Sequence, residues 1–501
     1  MTSKRTRTVR SGGDVAAMPL PGDRGYGACQ VVRVDGDVTL ACALAWHSPD
    51  LPTLPELAGV GPLIVEHHVH GGHPAVINVG RDDDPFDFVW LGRLPVGPDI
   101  PTQSNSYSGW SYLPVQVMAQ RRWDALPETV RHGYRAAGSG DMVTVDFGAG
   151  QARTKVGTGR LDLTGAGFVS APESGTVAWS ALDRLPRVSS VLWRGPDRGL
   201  VAAVAERPLI TFLDWRDGPA DIDLSRTWIT DLRLSGATGQ VALAQAACSL
   251  HLSEPARGLR VRAADEGRRL RLAMRTRQEG LDAPEGLGGV RDVQVDAGGA
   301  FSLSGLSALT GIARLQVTFD GPPGVLVGAE HLSAYRGMHT LALHNAYGLD
   351  ADTLPDLETL RRLEIHGLRR SVAQGLEARY RGSGVELLIT GAKSDTWLAS
   401  NLTNPFRDWA DDSARFGAAA CRAYATARKA VDAISPGSPD GLEQAERALR
   451  GLVAELNRID ERYEMIDTIR REEAGDAFFE LAAIAAVPVE LAERWFDDRD
   501  F

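Results

Sequence analysis

Ile312-Ala313-Arg314-Leu315-Gln316-Val317, Met338-His339-Thr340-Leu341-Ala342-Leu343 and Leu360-Arg361-Arg362-Leu363-Glu364-Ile365 are three copies of one phrase, apolar-x-x-apolar-x-apolar. Ile229-x-x-Leu232-x-Leu234 and Val290-x-x-Val293-x-Val295 repeat it, and Val188-x-x-Val191-x-Trp193, Ala247-x-x-Leu250-x-Leu252, Leu270-x-Leu272 and Leu387-x-Ile389 are weaker copies. From Leu270 onward the central apolar residues are spaced 23, 22, 26, 22 and 24 residues apart. Alternation of apolar and other residues is the signature of a strand with one buried face. A near-constant period leaves room for one short strand and a return, so each copy predicts one strand of a parallel stack.

Phrase and period together resemble those of leucine-rich-repeat proteins, and they predict an irregular solenoid of short parallel strands over 188–393. The asparagine usual three residues after the last apolar position is missing, because Asp320, Ala346 and Leu368 stand there. Backbone carbonyls in those turns must therefore find other partners. Residues between the apolar ones face outward, onto the concave side of such a stack. One column then reads Arg233, His251, Arg271, Gln294, Gln316, Ala342 and Glu364, and the next reads Ser235, Ser253, Ala273, Asp296, Thr318, His344 and His366. Arg233, Arg269, Arg271, Gln294, Gln316, His344, Arg362, Glu364 and His366 are the candidate binding residues of this face. Eight arginines fall between Arg257 and Arg277, and arginine forks suit carboxylates, which points to a protein partner with an acidic surface. The stretch lacks interleaved aromatic residues, so it is poorly suited to single-stranded nucleic acid.

At 501 residues the chain exceeds one ordinary core, and its composition is that of globular protein, 43% hydrophobic and 24% charged. The net charge of −11 disfavours a general nucleic-acid binder. Four scattered cysteines with no CxxC pair fit a reducing compartment. Ser11-Gly12-Gly13-Asp14 follows the basic N-terminus where a secretory signal would be apolar, and no run reaches the ~18 apolar residues of a membrane helix. The expectation is a soluble cytoplasmic protein of multi-domain α+β class.

Four segments are expected. The first, 11–135, is β-rich, with strands near 15–20, 27–34, 38–42, 75–79 and 88–94, a hairpin at Asp35-Gly36-Asp37 and a short helix over 54–58. Residues 97–185 are rich in Gly, Ser, Pro and Thr and read as a connection with β-elements near 142–147 and 160–163. Residues 136–187 are expected to form the connection and an N-cap for the solenoid. The solenoid follows, and 404–501 is an α-helical cap, with Asn404 capping its first helix and Asp440 with Glu443 forming a capping box for the second.

Gly13-Asp14-Val15 leading to Met18-Pro19-Leu20, Tyr26-Gly27, Val76-Ile77-Asn78-Val79 and Trp90-Leu91-Gly92-Arg93-Leu94-Pro95 resemble a family of bacterial polymorphic-toxin immunity proteins over about the first fifth of the chain. That resemblance implies a small domain that binds and neutralises a toxin, and it brings no catalytic residues. The C-terminal Trp495-Phe496-Asp497-Asp498-Arg499-Asp500-Phe501 is similar to the tail of actinobacterial leucine-rich-repeat proteins.

Glu66-His67-His68-Val69-His70-Gly71-Gly72-His73 holds four of the eleven histidines. In a strand Glu66, His68 and His70 would share one face, and with His73 they form a candidate zinc set. No GxSxG, GxxxxGK[ST] or His-Glu-x-x-His motif accompanies them. The leading expectation is thus a non-enzymatic binding scaffold without cofactor. The alternative is a metal-dependent hydrolase using Glu66, His67, His68, His70 and His73.

Overall fold

The computed structural model describes residues 10–20, 25–36, 38–68, 71–80, 87–138, 140–278, 280–435 and 438–501. It is mixed α/β, with an N-terminal antiparallel sheet, a large parallel sheet and a C-terminal helical region. In the first sheet, β1 (Asp14–Pro19), β2 (Tyr26–Asp35), β3 (Val38–Ser48), β4 (Val76–Gly80) and β5 (Val89–Arg93) lie in the order β4-β3-β2-β1-β5. The expected turn between β2 and β3 is present at Asp35 and Gly36, where Gly36 takes φ 56°, and Asp37 lies outside the described residues.

Both faces of this sheet are covered. Ala16, Met18, Cys29 and Val31 pack under Trp110, Leu113 and Val117, while Val15, Ala28, Leu40 and Cys42 pack with Leu57 and Ile100. Adjacent residues point to opposite faces, which sends Cys29 and Cys42 to different cores although their strands pair. Trp110, Leu113 and Val117 belong to a stretch that composition reads as connection. It holds two helices instead, α1 (Tyr112–Ala125) and α2 (Glu128–Ala136). Pro114 sits in the first turn of α1, where its missing N–H costs nothing, so it does not break the helix.

The parallel sheet has eleven strands in strict chain order. They are β6 (Arg160–Asp162), β7 (Ser190–Arg194), β8 (Phe212–Arg216), β9 (Asp231–Ser235), β10 (Ser249–Ser253), β11 (Arg271–Thr276), β12 (Asp292–Ala297), β13 (Arg314–Phe319), β14 (Thr340–His344), β15 (Arg362–Arg369) and β16 (Glu386–Lys393). The sheet therefore begins earlier than the phrase suggested. A further copy of the phrase, Ile210-x-x-Leu213-x-Trp215, supplies β8. Short parallel strips at Asp221–Asp223, Gln240–Ala242 and Arg260–Arg262, and at Ala300–Ser302 with Val325–Val327, carry the return path. Between sheet and strips runs one continuous apolar core from Val145 to Leu376.

Each strand contributes the same two inward side chains to that core. Leu232 and Leu234, Val293 and Val295, Leu315 and Val317, Leu341 and Leu343, and Leu363 and Ile365 are all at most 5% exposed. The pairing sets Leu250 against Leu272 and Leu252 against Met274, so the inward pair of β11 is Leu272 and Met274. The Leu270-x-Leu272 register is two residues early. Leu270 is itself buried just before the strand, which is why the phrase fits twice.

The helical region packs α3 (Ala414–Asp432), α4 (Gly441–Tyr463), α5 (Thr468–Ile484) and α6 (Val489–Phe496) around its own core of Phe406, Phe416, Leu449, Leu456 and Phe478. Asn404 does not cap α3. Its Oδ1 accepts from the Phe406 N–H at 3.0 Å, and Ser413 caps the helix by accepting from the Phe416 N–H at 3.4 Å. Asp440 makes no side-chain cap, so the expected capping box is not formed. Lys393 at the end of β16 is 6% exposed and pairs with Asp411, while the Tyr347 hydroxyl donates to Asp408 at 3.1 Å. These contacts fix the helical region to the last strands. Among the described residues no helix is long and apolar enough to cross a membrane.

Leu341 and Leu363 are fully buried and touch a core shared with neighbouring strands. Replacing either by Ala is expected to lower the unfolding free energy by ~2–5 kcal/mol in a denaturant titration. A change below ~0.5 kcal/mol would show that the side chain does not fill this core.

Candidate functional site

The outward face of the parallel sheet follows directly from the strand period, since every residue flanking the inward pair points away from the core. Backbone pairing fixes three rows across the strands. The leading row runs Asp231, Ser249, Arg271, Asp292, Arg314, Thr340, Arg362 and Glu386. The central row runs Arg233, His251, Ala273, Gln294, Gln316, Ala342 and Glu364. The trailing row runs Ser235, Ser253, Arg275, Asp296, Thr318, His344 and His366. The two-residue register correction at β11 thus moves Arg271 out of the central row and Ala273 into it. Arg275, which the phrase had not placed on the face, enters the trailing row.

Most of these side chains are engaged with a neighbour. Gln294 Nε2 donates to Gln316 Oε1 at 3.5 Å, and the His344 and His366 rings lie 6.2 Å apart at 46°. His366 Nδ1 shares a 2.9 Å hydrogen bond with Thr390 Oγ1. Arg362 pairs with Glu364 and approaches Glu386 at 3.9 Å. Arg271 lies 3.6 Å from Asp292, Arg275 lies 2.9 Å from Asp320, and Arg233 sits 5.2 Å from the centre of the Phe212 ring. Cations and carboxylates alternate along the face and neutralise each other locally.

Partial burial tunes the ionisable groups between them. Burial pushes the His344 imidazole below its ordinary value, His366 adds to the effect, and Glu364 and Asp296 oppose it. His251 is lowered by burial and by Arg233. Asp296 is raised by burial and by Asp320, against Arg275, His251 and His344. His251 and His344 consequently favour the neutral form, and the face presents them as hydrogen-bonding groups.

Arg269 does not belong to it. Its Nη1 donates to the carbonyls of Leu20 at 3.0 Å and Gly25 at 2.8 Å, and its guanidinium lies 5.5 Å from the Tyr26 ring centre. Arg291 pairs with Asp87, and Arg122 Nη2 donates to the Ala246 carbonyl at 3.2 Å. Each of these contacts falls within the three residues that precede a strand. The first domain is therefore docked along the leading edge of the sheet. The eight arginines from Arg257 to Arg277 do not form one patch either, since Arg260 pairs with Glu285 on the return strips at 3.0 Å.

Glu66, His67 and His68 lie outside the two-residue ladder in which Val65 pairs with His73, so Glu66 and His68 do not share a strand face. His67 is 5% exposed, with Nε2 2.7 Å from Gln116 Oε1 and Nδ1 3.0 Å from His68 Nδ1. His68 takes φ 54° and packs at 5.8 Å on Trp123 and 5.6 Å on Tyr134. Glu66 lies 3.7 Å from Arg135. His70 lies outside the described residues. Among the described residues no three His, Cys, Asp or Glu side chains converge on a metal position. Gln116 and Gln120, on α1, are what positions this stretch: the Gln120 Oε1 accepts from the backbone N–H of Glu66 at 2.7 Å. Nothing in the local sequence signals that partnership.

No protein-family model matches the chain, and no curated protein is significantly similar to it.

The lowered His344 has a sign that can be checked. Its unfolded form binds a proton near the ordinary histidine value of ~6.5, whereas the folded form does so only at lower pH. Stability contributed by the neutral ring is present above that value and is lost as pH falls below it. His344→Gln should flatten the decline in melting temperature between about pH 7 and pH 5. An unchanged slope would show that His344 does not carry the effect.

Proposed function

We propose that this chain is a non-enzymatic protein-binding scaffold of the leucine-rich-repeat kind, with an immunity-like first domain and a helical cap. Its partner would be a toxin that it neutralises in a bacterial conflict or self-protection system. The observation that carries the reading is the outward face of the parallel sheet. Arg271, Arg275 and Asp296 are exposed there, and Gln294, Gln316, Thr318, His344, Glu364 and His366 are partly so. A regular lattice of polar side chains on a stiff sheet loses little conformational freedom on binding, which favours protein recognition. Docking of the first domain on the leading edge supports this use, because it spends Arg269 and Arg291 on the edge and not on the face. The arginine–carboxylate pairs shift the preferred partner from a plainly acidic surface to one of mixed charge, able to exchange hydrogen bonds with both members of each pair.

Affinity capture from the native host tests the proposal. The chain carrying Arg271→Glu with His344→Ala and His366→Ala should keep the wild-type melting temperature within a few degrees, since all three side chains are surface groups. It should lose at least tenfold of whatever protein the wild type retains, about 1.4 kcal/mol. Undiminished capture would remove the face from the interface and leave the first domain, 11–135, as the binding element.

A further inference from the structure

Where α2 meets the turns that lead into β7 and β8 there is a cavity of about 310 Å³. One wall is Val130 and Gly133 of α2, and the other is Leu182, Leu185 and Val188 ahead of β7 with Ile210 ahead of β8. An apolar cavity of about 150 Å³ holds benzene, so this one has room for roughly a dozen heavy atoms. Backbone donors of the sheet-side wall are already used. The Leu185 N–H reaches the Leu182 carbonyl at 2.9 Å, the Val188 N–H reaches Leu185 at 3.1 Å, and the Ile210 N–H reaches Arg207 at 3.0 Å. Such walls suit a saturated carbon chain, and junctions of this kind between domains are favoured places for small molecules.

The charged residues that line the cavity are Asp183, Glu206 and Arg207. Arg207 is fixed from three directions. Its Nη2 lies 2.6 Å from Asp183 Oδ1, its Nη1 lies 3.7 Å from Glu206 Oε2, and Nη1 also donates to the Ala203 carbonyl at 2.8 Å. Both carboxylates are thus gathered around one guanidinium, and their side chains are 67% and 75% exposed, on the solvent side of the cavity. Two carboxylates against one guanidinium leave a negative charge in excess. The nearby cations Arg131, Arg184 and Arg187 do not line the cavity, and Arg187 is held against Tyr134, with Nε donating to its carbonyl at 3.0 Å.

We propose that this cavity binds a primary aliphatic amine of about eight carbons, its chain inside and its ammonium against Asp183 and Glu206. Burial of the chain supplies the affinity. The excess negative charge selects the head group, by the few-fold that an exposed ion pair is worth. A bound chain touches both α2 and the turns ahead of the sheet, and so tightens the docking of the first domain by mass action. The proposal does not depend on the partner-binding reading above.

Octylamine, octan-1-ol and octanoate probe it, because they share a chain and differ in charge at neutral pH. In the full-length protein with labelled methyl groups, octylamine should shift the resonances of Leu182, Leu185 and Ile210 saturably. Octan-1-ol should bind about two- to fivefold more weakly, the worth of one exposed ion pair, and octanoate more weakly still. Hexylamine, with a shorter chain to bury, should lose roughly tenfold against octylamine. Glu206→Gln with Asp183→Asn leaves Arg207 as the one charge lining the cavity, and octanoate should then bind more tightly than octylamine. Gly133→Leu fills the cavity from α2. A Cβ there meets nothing within 4 Å, so the helix accepts it, and binding of every probe should be lost even if the charge variant fails to fold. Equal affinity of octylamine and octanoate for the wild type, binding that survives Gly133→Leu, an unchanged order in the folded charge variant, or no saturable shift up to about 5 mM octylamine would each overturn the proposal.

Discussion

The large sheet depends on where each strand stops. At most strands the chain leaves the trailing row through a residue in the left-handed region, which ends the strand or, in β15 and β16, bends it before it runs on. Gly195, Asp217, Gly236, Glu254, Asn345, Gly367 and Gly391 all follow the trailing row and all have positive φ. Turned this way, the N–H of Gly195 reaches the Arg216 carbonyl at 2.8 Å, that of Asp217 reaches Ser235 at 2.9 Å, and that of Glu254 reaches Arg275 at 2.8 Å. The side chain of Asn345 adds a 3.1 Å bond to the Phe319 carbonyl. These are the partners that the missing asparagine positions left unaccounted for. Left-handed backbone costs a non-glycine residue ~1 kcal/mol or more, so the arrangement persists only because the stack repays it with carbonyl bonds.

In β11, β12 and β13 the device is absent and the strands run one residue further. Thr276, Ala297 and Phe319 then turn inward and are buried. That local lengthening coincides with the place where the apolar phrase misleads. Leu270, Leu272 and Met274 alternate, so two registers satisfy hydrophobicity, and only pairing with β10 chooses between them. At β12 to β15 the phrase reads the inward pair correctly because the residue two before it, Arg291, Ala313, His339 or Arg361, is polar or small. The same limit explains the helices α1 and α2: α1 is tied to the first sheet through Leu113 and Val117, and Trp123 of α1 and Tyr134 of α2 cluster with Leu209, contacts far apart in sequence that no local pattern expresses. The outward direction of Gln294, Gln316, His344 and His366 was legible because strand alternation alone decides it. Arg269 was not, since its role is set by carbonyls 244 and 249 residues away.

Docking along one edge separates two kinds of surface that a linear reading blends. The edge is tied by arginines that reach backbone carbonyls and one partly buried carboxylate, Asp87, which desolvation raises despite the neighbouring Arg291. A pair of that kind adds specificity of position more than stability, because desolvating both charges offsets much of their attraction. Placement of the first domain therefore rests on the geometry of the carbonyl cradle for Arg269 and on apolar contact around Trp123 and Leu209.

The outward face obeys a different economy. Its charges are partly solvated, and Arg271, Arg275 and Arg362 are each compensated by a neighbouring carboxylate, which reduces the long-range field of the face although the chain carries −11. A partner recognised there would gain little from diffusional steering. It would have to compete for hydrogen bonds already made between adjacent strands, such as Gln294 to Gln316 and His366 to Thr390. That competition rewards close geometric fit and discards loosely matching surfaces, which makes a paired polar lattice a device for selectivity in the proposed scaffold.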